Sequence, residues 1–509
     1  MLQHHALFAN VNLTDCQKLA LDKLNPMIEG DTRLGILRGY AGTGKTFLTA
    51  MLVKYLSTET NFNVVVMTPT GRAAKVLESE FDKFEVTIGP KTIHSVIYKA
   101  EPIDYSRDVM TLFASVATSA DDTPSFFIVD ESSMVGMQKS ERKDFGLNFG
   151  SGSLLHDILE YANLRLNTHS RVLFVGDPGQ LPPIQGRQHT PALEAHELLN
   201  VLTELETPNE TIAECELNTI LRQAEGSLKN FVSDVRLSYQ ALSPLPRNRR
   251  EQVNPIAPQD VVPLFLERNN RLRDPERSII LAHRNADVYR YNRDVRHALG
   301  FSEQPLMCGD SLLVRRNRRV VDYGELNISR SLEDLTNGTF IQVVDQPTFH
   351  YECTIHLKKK SVTLRFWKAS IRKLESEHTF TAYILQNLLD AEFWDDYKTA
   401  AQDVESAILV DFQQRMRTEH NLNPPKKSTD SHYSRYKMLA DRDPYLNALR
   451  VNYGYAVTVH NAQGGEWDTV IVDPVNPARD GHSVQHHIDY TRWIYTASTR
   501  ARKELFFVK

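Results

Sequence analysis

Short apolar runs alternate with helix-like segments over roughly the first 180 residues of the chain. Each run is short and consists mostly of β-branched or aromatic residues, which is typical of strands buried on both faces of a parallel sheet. The runs are VVVM (64–67), FFIV (126–129) and VLFV (172–175). Because helical spacing of apolar positions fills the stretches between them, the pattern predicts an α/β fold with a mainly parallel sheet.

A second set of strand-like runs lies later in the chain. These runs are SIILA (278–282), YAVTV (455–459), TVIV (469–472) and WIYTA (493–497). The long gap after the first of them indicates a second α/β core that is interrupted by an insertion. A length of 509 residues, too long for one hydrophobic core, agrees with a prediction of two to four domains.

The insertion, from about 301 to 450, has a different pattern of apolar and polar residues. Residues 305–370 hold short alternating stretches separated by turn signals, which predict a small β-barrel. Residues 380–420 are predicted to be helical, with a single apolar face. That predicted face consists of Ile384, Leu385, Leu388, Leu389 and Phe393.

Composition narrows the class of protein. The chain has no run of about eighteen apolar residues, so no membrane span is expected. Its four cysteines are far apart and form no CxxC pair, which favours a reducing cytoplasm and argues against a structural metal site. A net charge of −5 means that any site for a polyanion must be a local groove.

The segment GYAGTGKT matches the pattern of a phosphate-binding loop between a strand and a helix. Its glycines let backbone N–H groups point at phosphate oxygens, Lys45 reaches the terminal phosphates, and the Thr46 hydroxyl is placed to hold Mg²⁺. The helix that follows adds its amino-terminal partial charge. The predicted nucleotide-binding residues of this loop are Gly39, Tyr40, Ala41, Gly42, Thr43, Gly44, Lys45 and Thr46.

Two further segments add the groups that hydrolysis needs. FFIVDESSM delivers Asp130 and Glu131 at the end of an apolar strand, where Asp130 can hold Mg²⁺ and Glu131 can polarise a water molecule. VLFVGDPGQLPPI places Gln180 on a loop after another buried strand, where its amide can touch both the γ-phosphate and the attacking water. Together they predict a nucleoside triphosphatase.

The three segments, in this order, resemble motifs I, II and III of superfamily 1 helicases. The nearest kin by resemblance are the Dda helicase of T-even bacteriophages and its RecD-like relatives, in superfamily 1B. The resemblance implies two RecA-like motor domains, an inserted pin subdomain, an SH3-like barrel and a helical tower. The implied division is 1–205 with the pin at about 97–124, 206–300 together with 450–509, and an insertion at 301–449 with its barrel at 305–370 and its tower at 380–440.

Other segments of the first half extend the resemblance. NLTDCQKLA is similar to the Q motif, in which Gln17 would read the adenine edge, and Thr14 or Asp15 also caps the helix there. MTPTGRAAKVL and KTIHSVI resemble motifs Ia and Ib, which lie along the DNA strand. The DNA-contacting residues implied by these two motifs are Pro69, Thr70, Arg72, Thr92 and His94.

The second half supplies motifs IV to VI. LNTILRQ implies that Arg222 points at the γ-phosphate, and WIYTASTRARKEL implies Arg500 as a second arginine finger. In motif V, the resemblance places Glu466 at the ribose and His460 on the DNA. Two departures stand out. Asn461 and Ala462 replace a common Lys-Ser pair, and Leu221 replaces the adenine-stacking tyrosine of UvrD-type helicases.

The strand separator is predicted between motifs Ib and II. DVMTLFASVATSADDTP (108–124) alternates with period two and contains the turn-like SADD, which predicts a small hairpin. In the Dda helicase the pin lies at this position, so Phe113 is the candidate wedge at the fork. The alternative is that Phe113 packs the subdomain onto the first core.

The function implied by this resemblance is an ATP-dependent 5′-to-3′ DNA helicase that uses Mg²⁺ with ATP. The expected partners are single-stranded DNA and forked duplex DNA, with single-strand-binding or replisome proteins as further candidates and a monomer as the expected state. A setting in phage-type replication, recombination or repair, in the host cytoplasm, follows from the same resemblance. The alternatives are an ATPase switch without unwinding and a 3′-to-5′ UvrD-like helicase, and RNA binding stays open. A nucleoside kinase is disfavoured because no second nucleotide-site signature is present.

Overall fold

The computed structural model describes most of the chain. The described residues are 5–9, 11–106, 111–117, 123–138, 146–183, 189–207, 210–221, 227–240, 253–316, 318–321, 332–335, 337–358, 360–374, 378–389, 394–474 and 484–509. No helix in these ranges is both long and apolar enough to cross a membrane.

The strands of the amino-terminal half form two groups. They are β1 (Leu34–Gly39), β2 (Asn63–Thr68), β3 (Lys91–Thr92), β4 (Tyr98–Ala100), β5 (Thr111–Val116), β6 (Ser125–Val129), β7 (Gly146–Phe149), β8 (Arg171–Gly176) and β9 (Ile212–Leu217). The helices of this half are α1 (Ala6–Ala9), α2 (Asp15–Glu29), α3 (Lys45–Glu59), α4 (Gly71–Lys83), α5 (Ile93–Ile97), α6 (Leu154–Tyr161) and α7 (Ala195–Glu204).

The remaining elements follow in chain order. The strands are β10 (Pro255–Ile256), β11 (Ser278–Ala282), β12 (Ser311–Val314), β13 (Arg318–Val321), β14 (Leu332–Leu335), β15 (Phe340–Val343), β16 (Thr348–His356), β17 (Ser361–Lys373), β18 (Thr379–Leu385), β19 (Val451–Tyr453), β20 (Ala456–Thr458), β21 (Trp467–Asp473) and β22 (Ala501–Val508). The helices are α8 (Ser227–Gln240), α9 (Val261–Arg268), α10 (Asn285–Leu299), α11 (Trp394–His420), α12 (Tyr433–Arg442) and α13 (Val484–Ser498).

The first lobe is a parallel sheet of order β3-β2-β6-β8-β1-β9, covered by helices on both faces. Alternation along each strand assigns its side chains to the two faces. In β6, Phe126 and Ile128 join the core under α2, α3 and α4, whereas Phe127 and Val129 join the core under α5, α6 and α7. The strands predicted from VVVM, FFIV and VLFV are therefore confirmed.

The second lobe is a parallel sheet of order β10-β22-β21-β11-β20. SIILA, YAVTV and TVIV lie in β11, β20 and β21, as predicted. The strand prediction for WIYTA is wrong, because these residues belong to α13 and the strand is β22, which follows the helix. Buried contacts on several sides of α13 give it a continuous apolar run, which cannot be told from a strand by periodicity. The predicted α/β class with two parallel-sheet domains is confirmed.

The first lobe extends beyond its predicted end at residue 205. Strand β9 pairs in parallel with β1, so the chain crosses to the second lobe only after Leu217. Helix α7 packs on the sheet and leads directly into this edge strand. The strand lies in the first lobe because its partner, β1, offers a free edge there.

The inserted domain (residues 301–450 with β19) is built on antiparallel pairs in the order β16-β17-β15-β12-β19, with β18 added on β17. The helix prediction for 380–420 is wrong in its first part. Residues 379–385 form β18, and a turn at Gln386–Leu388 precedes α11. Ile384, Leu385, Leu388 and Leu389 are buried, but they line the end of a strand and a turn, since pairing with β17 outweighs the helical spacing.

A small third sheet has the order β4-β5-β7. Strand β5 pairs antiparallel with β4 and parallel with β7, and the SADD turn of the predicted hairpin lies outside the described residues. Its backbone places Phe113 opposite Asn148 in β7, and the Phe113 side chain lies outside the described residues. The loop after β4 packs on the inserted domain. Tyr105 is buried among Phe412, Tyr433 and Tyr436, and its carbonyl accepts a hydrogen bond from Gln413 at 2.7 Å.

Candidate active site between the two lobes

The phosphate-binding loop connects strand β1 to helix α3. Gly42 and Gly44 have φ of 77° and 82°, the left-handed conformation that glycine adopts without strain. Lys45 Nζ donates to the carbonyls of Gly39 at 2.6 Å and Tyr40 at 3.1 Å. The lysine therefore folds back over the loop, and the loop amides lie at the amino terminus of α3, where an anion is favoured.

Gln17 lies behind this loop, fully buried. Its Oε1 accepts from the backbone of Thr14 at 3.0 Å, and the Thr14 hydroxyl accepts from the Gln17 amide, forming a capping box. Its Nε2 donates to the carbonyl of Thr43 at 3.3 Å. A side chain at Gly44 would approach Gln17 Nε2 within 2.6 Å. The structure therefore gives Gln17 a role in supporting the loop, and adenine recognition by it stays a prediction.

Asp130 and Glu131 follow β6 directly. Burial and the neighbouring Glu131 charge raise the pKa of Asp130 to about 7, although its carboxylate accepts a hydrogen bond from the Glu131 amide at 2.9 Å. Glu131 has φ of 52°, a left-handed backbone conformation that is uncommon for residues other than glycine. Its Oε2 is buried and has no hydrogen-bond partner within the described residues. Such strain and unmet polarity are typical of a functional group.

Gln180 follows β8, the neighbour of β6 in the sheet. It is buried, and its Oε1 also lacks a hydrogen-bond partner in the described part of the chain. Carboxyl ends of adjacent parallel strands meet at one edge, so β6, β8 and β1 bring the acidic pair, Gln180 and the loop together. Thr46 and Asp130 offer the hard oxygen ligands that Mg²⁺ prefers, and a divalent cation would offset the buried carboxylate charge.

The second lobe contacts this edge through α13. The Tyr495 hydroxyl accepts from the amide of Ala41 at 2.9 Å and donates to Asp177 Oδ2 at 2.9 Å. Burial and the Asp177 charge raise the pKa of Tyr495, so its hydroxyl keeps its proton. The Thr496 hydroxyl accepts from the amide of Leu181, also at 2.9 Å. Motifs I and III are thus tied directly to motif VI.

Helix α8 adds a second contact to the loop. The guanidinium of Arg236 lies 4.0 Å from the centroid of the Tyr40 ring, and Gln240 Nε2 donates to the Tyr40 hydroxyl at 2.7 Å. Sequence reasoning missed Arg236, Tyr495 and Asp177. The motif strings contain the last two, but nothing in the sequence indicates that they pair.

Arg500 is buried in the second lobe, close to motif V. It donates to the carbonyls of Thr496 and Gly465 at 3.1 and 3.2 Å and to the Thr499 hydroxyl at 3.0 Å. These bonds hold motif VI against motif V. Glu466 follows Gly465 and is half-buried. Arg222, the other predicted finger, lies outside the described residues.

Four predicted DNA contacts lie at the carboxyl edges of the sheets. Pro69 and Thr70 precede α4, and the Thr70 hydroxyl caps it by accepting from Ala73 at 3.2 Å. The Thr92 hydroxyl caps α5 in the same way, at 3.3 Å from the amide of Ser95. In the second lobe Thr458 caps the turn that carries His460, where burial lowers the pKa of His460. Helix amino termini on this edge favour anions.

Arg72 and His94 make contacts with aromatic side chains in this structure, and their contact with DNA stays a prediction. The Arg72 guanidinium lies 3.9 Å from the Trp467 ring centroid and 5.0 Å from that of Phe340, so it joins the first lobe to the second and to the inserted domain. His94 packs with its ring centroid 4.5 Å from that of Phe149. Burial lowers the pKa of His94 to about 4, so this histidine is neutral at pH 7.

Two family models match two segments of the chain that contribute residues to this site. Residues 12–143 match the model "AAA domain", and residues 453–508 match "UvrD-like helicase C-terminal domain". The first covers the phosphate-binding loop and the acidic pair, and the second covers motifs V and VI. Over these two segments the chain is similar to an AAA domain and to the C-terminal domain of UvrD-like helicases, and each match covers less than half of the chain.

Among proteins similar in sequence, an uncharacterised protein R530 of Acanthamoeba polyphaga mimivirus is 22% identical over 97% of this chain and 99% of its own length. Among solved structures, the Pif1 helicase from Bacteroides in complex with ADP-AlF3 and single-stranded DNA is 17% identical, covering 98% of this chain and 92% of that one, with a TM-score of 0.43. The Candida albicans Pif1 helicase is 14% identical with a TM-score of 0.41, covering 98% of this chain and 94% of that one. These structural similarities carry no assignment of activity.

Proposed function

We propose that this chain is an ATP-dependent DNA helicase that moves 5′-to-3′ along single-stranded DNA and opens duplexes. The observation that carries the proposal is the bonding of the second lobe to the phosphate-binding loop, through Tyr495 to Ala41, beside the residues proposed to carry out hydrolysis. An ATPase whose nucleotide loop lies between two lobes can convert occupancy of that loop into lobe movement.

In the proposed hydrolysis, each polar group has one task. Lys45 leaves the carbonyls of Gly39 and Tyr40 to neutralise the terminal phosphates, and Thr46 and Asp130 hold Mg²⁺. Glu131 accepts the proton of the attacking water, and Gln180 orients that water against the γ-phosphate. Their unpartnered oxygens, Glu131 Oε2 and Gln180 Oε1, are the acceptors available for a water molecule.

Arg500 and Arg222 are proposed to complete the site from the second lobe. Positive charge supplied there would stabilise the charge that builds up on the phosphoryl group. Arg500 donates a hydrogen bond to the carbonyl of Gly465 in motif V. Movement of Arg500 would therefore displace the neighbouring Glu466, which is proposed to lie at the ribose, and His460. A change in the bound nucleotide would thereby move residues at the proposed DNA-binding edge.

The strand is proposed to run across the carboxyl edges of both sheets. Thr70 and Thr92 in the first lobe and His460 in the second would lie along its phosphates, with backbone amides at capped helix ends as further donors. Binding of this kind does not read sequence and weakens steeply with salt. Arg72 lies at the joint between the lobes, stacked on Trp467.

The domain division supports coupling to a fork. The proposed pin subdomain, at about 97–124, packs on the helical part of the insertion through Tyr105 and through the amide of Ile103, which donates to the Tyr433 hydroxyl at 2.9 Å. A separator anchored at both ends can resist the load of a duplex. The proposed partners are single-stranded and forked DNA, bound by a monomer in replication, recombination or repair.

Direction rests on the resemblance to the Dda and RecD-like group. The test uses matched duplexes that carry a single-stranded tail on either the 5′ or the 3′ side, with ATP and Mg²⁺. Opening of the 5′-tailed duplex is expected, and preference for the 3′ tail would favour the UvrD-like alternative. Strand-stimulated ATP hydrolysis without opening of either duplex would identify an ATPase switch.

A further inference from the structure

An open groove lies where the second lobe meets the inserted domain. Helix α10 and the turn after β20 form one wall, and strands β12 and β19 form the other. Its polar lining includes Asn285, Tyr289, Asn452, Asn461 and Arg315. Asn461 belongs to motif V, and the other four polar lining residues lie outside the motifs considered above.

The chemistry of the lining residues limits the classes of ligand that the groove can bind. The walls are largely apolar, with Val288, Leu313, Leu389 and Val457, and the described lining contains no carboxylate and only one basic side chain. A metal ion would find no acidic ligand there, and a phosphate would find a single cation. Apolar walls with several amides suit a flat, neutral, polar ring.

The amides have capacity left for such a ring. Asn452 Nδ2 donates to the Tyr289 hydroxyl at 3.4 Å, and its Oδ1 is buried with no hydrogen-bond partner in the described residues. The side chains of Asn285 and Asn461 make no hydrogen bond within the same residues. Asn292, by contrast, is fully used, because its amide bonds the backbone of Tyr455 and Ala456. An unmet buried acceptor indicates a place for a ligand donor.

The groove also lies at the carboxyl edge of the second-lobe sheet, where the DNA strand is proposed to run. Asn285 begins α10, directly after the carboxyl end of β11, and Asn461 lies directly after β20. The proposed DNA strand crosses this same edge. Asn461 stands where related helicases commonly have lysine, so the chain here replaces a phosphate contact by an amide.

We propose that this groove binds one unstacked nucleobase of the tracked strand, with the ring between the apolar walls and its edge on the asparagine amides. An amide has a donor and an acceptor, so Asn285, Asn452 and Asn461 can bond the edge of any base, which suits a site that does not read sequence. The inference rests on the proposed binding of a DNA strand and adds a fixed position for one base.

The test is a scan of abasic sites along a single-stranded oligonucleotide, with affinity measured by fluorescence anisotropy. For the unmodified protein, one position is expected to weaken binding by roughly threefold to tenfold, the range of one or two lost hydrogen bonds. Asn452→Leu and Asn285→Ala should each bind intact DNA more weakly and lose most of the penalty at that position. Asn200→Ala, on the exposed surface of α7, is the matched control and should keep it.

The outcomes separate this inference from the proposed function. If no abasic position stands out, or if both groove variants keep the same penalty as the control, the groove does not hold a base of the strand. Titration with free nucleosides is a second arm, because a nucleoside that binds in the groove without any abasic effect would assign the groove to a free ligand. If intact single-stranded DNA fails to bind the unmodified protein, the proposed function itself is wrong.

Discussion

The hydroxyl of Tyr495 lies 2.9 Å from the backbone nitrogen of Ala41, joining helix α13 of the second lobe to the phosphate-binding loop of the first. The same hydroxyl donates to Asp177, on the loop that also carries Gln180. One side chain therefore bridges the nucleotide loop and the loop that we propose senses the γ-phosphate. Movement of the second lobe must change both contacts together.

Tyr495→Phe removes this hydroxyl and keeps the ring. We expect the free energy of unfolding to fall by about 1–3 kcal/mol, because the buried Asp177 carboxylate loses a donor. Stimulation of ATP hydrolysis by single-stranded DNA should fall more than ATP affinity does. Tyr161→Phe is the control, because the Tyr161 hydroxyl makes no hydrogen bond in the described residues. Equal stimulation in both variants would show that Tyr495 has only a structural role.

Lys45→Ala should reduce ATP hydrolysis more than tenfold and leave single-stranded DNA binding nearly unchanged. No other side chain of the loop can supply an ammonium at the terminal phosphates. Steady-state hydrolysis and anisotropy measure the two effects, with Lys83→Ala at the exposed end of α4 as the control. A variant that retains more than about a tenth of the rate, equivalent to about 1.4 kcal/mol of barrier, would contradict the assignment.

Glu131→Gln should bind Mg-ATP normally and hydrolyse it at least about a hundredfold more slowly. The amide preserves size and shape but cannot take a proton from water. Fluorescent-nucleotide binding and single-turnover hydrolysis separate the two steps, and Glu204→Gln on the exposed face of α7 should match the unmodified protein. Loss of nucleotide binding would instead mean that Glu131 holds the loop in shape.

His94 should make stability depend on pH. Its pKa falls from 6.5 to about 4 on burial, so below pH 6.5 the unfolded chain takes up a proton that the folded chain refuses. The stabilisation is complete above pH 6.5 and is lost as pH falls towards 4, by up to about 3 kcal/mol. Urea unfolding at several pH values measures it, and His94→Phe should flatten the curve in this window while exposed His196→Gln does not.

Phe113→Ala tests the proposed strand separator. If the ring replaces stacking that is lost when a base pair opens, worth about 1–3 kcal/mol per base, unwinding should slow while strand-stimulated ATP hydrolysis is spared. Leu112→Ala, the neighbour on β5, is the comparison. A parallel fall in both activities, or a lower melting temperature, would place Phe113 in a packing role instead.

The sequence could predict the parts of the site that are local. A strand, a glycine-rich loop and a helix fix the positions of Lys45 and Thr46, and an apolar strand that ends in two acids fixes Asp130 and Glu131. Parallel strands then bring such ends together, so the common edge followed from the α/β pattern. The predicted type of element was wrong at WIYTA, which lies in α13, and at β18, because the local pattern is ambiguous in both segments. Burial on several sides decided the first, and pairing with β17 decided the second.

By itself, then, the sequence determined the α/β class, the phosphate-binding loop and the hydrolytic groups, since each depends on residues close together along the chain. Only the tertiary structure decided which side chains meet across the lobes. It pairs Tyr495 with Ala41, and it stacks Arg72 on Trp467, whereas the resemblance to motif Ia implied a DNA contact for Arg72. It also turned His94 into a neutral packing residue. Contacts between distant segments depend on which buried faces meet, and a local apolar pattern shows that a face is buried without showing its partner.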